Sequence, residues 1–103
     1  MGLKIEHNTM IRLVSTDNID YLKLKAGMEL EIKRDNPRLY PVSLPLLLLK
    51  EDWTVLGYVQ VTSLELEDGI SEVEFKILKL FSGEVSKQYS EDLLEVLKLS
   101  GYL

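Results

Sequence analysis

From Met28 to Lys33 the chain alternates strictly between apolar and charged residues, with Met28, Leu30 and Ile32 on one side and Glu29, Glu31 and Lys33 on the other. A period of two is the signature of a half-buried strand. Gly27, just before it, fits a backbone angle that other residues avoid. Upstream, Lys4 to Val14 reads as one or two short strands around Asn8, and Ser15-Thr16-Asp17-Asn18 is a loop of turn formers. Downstream, prolines at 37, 41 and 45 each remove a backbone donor, which excludes helix and confines the stretch to extended, edge or bulged structure. The run Leu46 to Leu49 has no period of two, so both of its faces should be covered.

Val55 to Leu66 and Ile70 to Phe81 read as a long hairpin around Glu67-Asp68-Gly69, since Asp-Gly tolerates the positive φ angles of a tight two-residue turn. Gly57 inside the first arm suggests a bulge or sharp coil. In the second arm Val73, Phe75 and Ile77 alternate and then the phase slips to Leu78 and Leu80, which a second bulge near Ile77 explains. Only the C-terminus has helical spacing: Ser90 as cap, Glu91 and Asp92 at the positive end of the helix dipole, Leu93, Leu94, Val96 and Leu97 as a stripe, and Gly101 as the stop. A helix over 91–99 is too short to stand alone and must dock on the sheet. The expected fold is mainly β: residues 1–103 as one small antiparallel β-barrel or strongly coiled sheet with a short C-terminal α-helix.

Composition narrows the chemistry. At 46% hydrophobic and 28% charged, the chain has ordinary globular usage. It has no cysteine, which removes disulfides, thiol catalysis and cysteine-held metals. A start without a basic lead or apolar run is unlike a signal peptide, and Leu44 to Leu49 is far below the ~20 residues of a membrane span, so a cytoplasmic, non-membrane protein is expected. The net charge of −5 is unevenly placed. Residues 1–50 hold eight Lys/Arg against six Asp/Glu, and residues 51–103 hold four against eleven. Long-range attraction to nucleic acid is therefore disfavoured, while a local basic face from the first half stays open.

Catalytic motifs are missing. His7 is the single histidine, no Gly-x-Ser-x-Gly elbow surrounds any serine, and neither phosphate-binding glycine motif occurs. No cofactor is expected, and a cryptic enzyme is the third-ranked reading. The acidic hairpin residues Glu65, Glu67, Asp68, Glu72 and Glu74 are read as a solvated face ahead of a hard-cation site. The strongest candidate is Lys33, Arg34, Arg38 and Tyr40, with Arg12, Lys23 and Lys25 expected nearby in a compact fold. Cations beside an aromatic ring suit single-stranded RNA or an acidic ligand, and the competing explanation is that the arginines flank a turn and pair with Asp35 or another acid. The first-ranked function is thus a non-enzymatic binding module. A structural protein self-associating as a homodimer through Leu44–Leu49 is the alternative, although core packing is the simpler fate of that run. Trp53 is left between core plug and exposed anchor.

The stretches Asn8-Thr9-Met10-Ile11, Arg38-Leu39-Tyr40-Pro41-Val42-Ser43-Leu44-Pro45 and Gly57-Tyr58-Val59-Gln60-Val61 resemble a family of short bacterial proteins of unknown function, in which an Asn-Thr-Met opening and an Arg-x-Tyr-Pro segment precede a hairpin. The resemblance spans residues 8–81 and implies a small barrel-like fold without supplying an activity. A looser similarity, to the PUA-like pseudobarrels including the ASCH group, rests on Ala26-Gly27-Met28-Glu29-Leu30 and Leu56-Gly57-Tyr58-Val59-Gln60-Val61. It implies RNA association by analogy of fold alone.

Overall fold

The structure is a computed structural model that describes residues 6–7, 9–35 and 38–103, with the side chains of Glu6 and His7 excepted. Asn8 and the expected turn at Asn36-Pro37 lie outside the described residues. Among the described residues, seven strands and one α-helix follow in order: β1 (Glu6–His7), β2 (Met10–Arg12), β3 (Glu29–Arg34), β4 (Arg38–Leu39), β5 (Pro45–Leu49), β6 (Val55–Glu67), β7 (Ile70–Leu80) and α1 (Gly83–Leu99). Strand accounts for 44% of the described residues, and five strands form one strongly curled half-barrel in the order β2-β5-β6-β7-β3. All its ladders are antiparallel except β2–β5; β1 and β4 pair in parallel as a separate ribbon. No helix among the described residues is long and apolar enough to cross a membrane.

The hairpin β6–β7 behaves as the sequence predicts. Asp68 and Gly69 both take positive φ, 52° and 77°, and close Glu67 against Ile70. The pairing shifts between Tyr58↔Lys79 and Val59↔Ile77, which leaves Leu78 as the extra residue in β7. This is the bulge that the phase slip announced: Val73, Phe75 and Ile77 are buried and Leu78 is exposed. A second shift leaves Thr62 extra in β6, and a third, against β5, leaves Leu56 extra beside Gly57. Each bulge adds twist, and together they bend the long hairpin into a trough.

The trough is filled by Ile11, Ile32, Tyr40, Leu46, Leu48, Val59, Val61, Val73, Phe75 and Ile77. Leu46, Leu48 and Leu49 are buried and Leu47 half-buried, because β5 runs between β2 and β6. The leucine run is thus mainly interior, and the residues before it, 42–45, stand exposed. Gly27 takes φ 88° and donates to the carbonyl of Ile77, fixing the start of β3.

The helix is longer than expected, Gly83–Leu99 in place of 91–99. Ser82 is the cap, accepting from the backbone N–H of Val85 at 3.4 Å, and Ser90 lies mid-helix. Serines at 86 and 90 hide the helix from a reading of propensity, because serine usually favours caps and turns. Here they dock the helix. The Ser90 hydroxyl accepts from the N–H of Val55 at 2.8 Å, and the Ser86 hydroxyl donates to the carbonyl of the same residue. Val55 is fully buried, so its backbone groups need these partners. Ser90→Ala is expected to lower stability by about 1–3 kcal/mol by leaving that N–H unpaired, as chemical denaturation can read out. At the far end Gly101 takes φ 82°, with Gly101 N–H bonded to Lys98 O and Tyr102 N–H to Leu97 O, which closes the helix as a Schellman motif.

Candidate functional site

The half-barrel leaves β2 and β3 as its two free edges. Arg34 ends β3 in phase with Ile32 and so points inward, where it is 8% exposed. Its Nη1 donates to Asp17 Oδ1 at 2.7 Å and its Nη2 to Asp17 Oδ2 at 3.0 Å, a bidentate pair. Nη2 also donates to the carbonyl of Arg12 on β2 at 2.9 Å, and Nη1 to that of Lys33 at 2.8 Å. Asp17 accepts a further bond from Val14 N–H at 2.8 Å. One guanidinium therefore fastens both sheet edges and the 3-10 turn Ser15–Asp17 between them. Arg34 is a clamp, and its partner is Asp17 in place of the nearer Asp35.

Around this clamp lies a pocket of about 330 Å3 walled by Arg12, Val14, Thr16, Lys33, Arg34, Asp35 and Arg38. Four of the five residues singled out from sequence are thus brought together. Tyr40 is not among them: it is 5% exposed and packs in the core, so its ring is closed to any ligand. Lys23 and Lys25 are exposed and stand outside the pocket walls. A wider hollow of about 640 Å3, which shares Thr16, Lys33 and Asp35, continues alongside β3.

The cations differ in what they have to offer. Arg34 is spent on Asp17. Lys33 lies 3.6 Å from Glu72, but its side chain is 67% exposed, and such a surface pair holds weakly. Arg38 is half-buried, with its backbone N–H bonded to the Ser71 hydroxyl at 2.9 Å. Arg12 is held at two points. Its Nε donates to the carbonyl of Glu51 at 2.9 Å, and its guanidinium carbon sits 4.5 Å from the centre of the Trp53 ring. Its two terminal NH2 groups donate to no protein acceptor among the described residues.

Trp53, half-buried beneath the Arg12 guanidinium, belongs to the tight turn joining β5 to β6. Lys50 N–H bonds to Thr54 O and Trp53 N–H to Lys50 O, closing a three-residue loop whose last position takes left-handed geometry. Trp53 occupies that position at φ 71°, where glycine would be unstrained. Its ring meets Tyr102 edge-on, at 5.7 Å and 85°. In the same loop, hydrogen bonds from Thr54 hold the Asp52 carboxyl below its ordinary pKa. Lys50 lies 5.0 Å from the Tyr21 ring. Burial, followed by the nearby Asp17, Glu51 and Asp52, pushes the Tyr21 hydroxyl up.

On the acidic hairpin, Glu65 faces Glu72 across the ladder, while the Thr62 bulge sets Glu74 opposite Ser63. Among the described residues no three potential metal ligands gather.

The architecture is therefore a curled half-barrel with a docked C-terminal helix and a basic pocket over the seam between its edges. A fold of this kind is shared with a solved protein. The crystal structure of protein ytmB from Bacillus subtilis matches with a TM-score of 0.64 and 24% identity, over 81% of this chain and 98% of that one. No protein-family model matches the chain, and no curated protein does.

Proposed function

We propose that the protein is a non-enzymatic binding module that takes a small anionic ligand in the pocket walled by Arg12, Lys33 and Arg38. The observation that carries this reading is the state of Arg12. A guanidinium already oriented by a backbone carbonyl and an aromatic face, with its terminal NH2 groups bonded to no acceptor among the described residues, is a fork set for bidentate contact with a phosphate or carboxylate. Fixing it in advance removes ordering entropy that a free arginine loses on binding. Lys33 and Arg38 add positive charge at the rim, and Thr16 offers a hydroxyl. The acidic balance of the whole chain disfavours a long polyanion but not a compact ligand seated locally.

Titration calorimetry with inorganic phosphate and with ribose 5-phosphate tests this. Binding is expected at low ionic strength and should weaken at moderate salt. Arg12→Gln should reduce affinity at least about ten-fold, whereas Lys25→Gln, outside the pocket, should leave it unchanged. No heat from either probe, or equal affinity in the wild type and Arg12→Gln, would overturn the proposal.

A further inference from the structure

We infer that the ligand carries a planar ring beside its anionic group, the chemistry of a nucleotide unit, with the phosphate on the Arg12 fork and the ring against the Trp53–Tyr102 pair. This inference rests on the anion-pocket reading and extends it along Arg12. That residue is shared: it is one of the walls of the pocket, and its guanidinium lies 4.5 Å from the Trp53 ring centre. An anion gripped by its terminal NH2 groups would thereby be held next to two aromatic side chains.

The rings themselves argue for use. Tyr102 is 67% exposed, yet it is positioned by the edge contact with Trp53 and by its own N–H bond to Leu97 O. An exposed aromatic ring held by its neighbours is a stacking surface that costs little to order. Trp53 meanwhile occupies a left-handed backbone position that disfavours any side chain, let alone an indole. Strain of that kind persists where the side chain is needed. Glycine would close the same turn without strain but would leave Arg12 without its platform and Tyr102 without its support.

A nucleotide unit can come free or within single-stranded RNA, and base stacking on aromatic rings serves both. Trp53 is the single tryptophan, so the protein's indole fluorescence reports on this place alone. The experiment titrates the full chain with adenosine 5′-monophosphate, ribose 5-phosphate and a short oligoadenylate, following tryptophan emission and heat.

Adenosine 5′-monophosphate is expected to bind roughly ten-fold or more tightly than ribose 5-phosphate and to quench Trp53. Tyr102→Ala should abolish that advantage while leaving ribose 5-phosphate affinity as it was. Oligoadenylate binding more tightly than the mononucleotide would assign RNA as the source, and equal affinity per site a free nucleotide. If adenosine 5′-monophosphate and ribose 5-phosphate bind equally, the ring contact is wrong and the anion pocket stands. If neither binds, and inorganic phosphate does not bind either, the pocket fails and this inference falls with it.

Discussion

Arg34→Met is expected to cost about 3–5 kcal/mol of folding stability, because it leaves the Asp17 carboxylate buried without its counter-ion. Both members of the pair are nearly hidden, with side chains 9% and 4% exposed. Methionine matches much of the arginine's length, so packing loss is small and the uncompensated charge dominates. Adding Asp17→Asn to the same chain should restore part of the loss, since an asparagine carbonyl is neutral and can still accept from Val14 N–H. Urea denaturation of wild type, the two single variants and the double variant reads the coupling directly. A single-variant loss under about 1 kcal/mol would show that water reaches Asp17 and that the clamp holds nothing closed.

Gly57→Val is expected to be at least as damaging, at about 3 kcal/mol or more, or to prevent folding outright. A β-carbon at Gly57 would lie 2.0 Å from the carbonyl oxygen of Lys79 and 3.0 Å from the α-carbon of Leu80. Those are backbone atoms of the adjacent strand, so no side-chain rotation relieves the contact, and β6 and β7 must part. They can part only by giving up ladder hydrogen bonds in a central pair. The close approach arises beside the Leu78 bulge, where the pairing shifts and β7 bends over β6. Gly57→Ala meets the same oxygen and should lose nearly as much. An unchanged denaturation midpoint in either variant would mean that the strands separate freely at this point.

Much of the fold could be read from the sequence because it was written in local chemistry. Alternation placed β3, Asp68-Gly69 placed the hairpin, and the slip from Ile77 to Leu78 placed a bulge. The length of α1 was hidden because Ser86 and Ser90 spend their hydroxyls on Val55, a tertiary use that propensity does not register. The candidate site was legible as a cluster, and the competing explanation, an arginine paired with an acid, holds for Arg34. Arg12, Lys33, Arg34 and Arg38 do share a pocket, yet Arg34 serves the fold and Tyr40 the core. One signal for Arg34 was available: it continues the phase of Met28, Leu30 and Ile32, so a charge there must meet a buried acid. The pairing of Arg12 with Trp53 had no such signal, since β2 and the β5–β6 turn come together only once the sheet curls.

The seam also bears on how long a folded molecule lasts. β5, β6 and β7 form a meander of neighbours in sequence, whereas β2 and β3 join from far upstream. Contacts between distant parts of a chain carry the larger loop-closure cost and tend to form late. The guanidinium that laces the two outer strands belongs to that final stage. Its removal should hasten unfolding and leave the refolding rate nearly untouched, so this ion pair governs the lifetime of the native state more than the speed of reaching it.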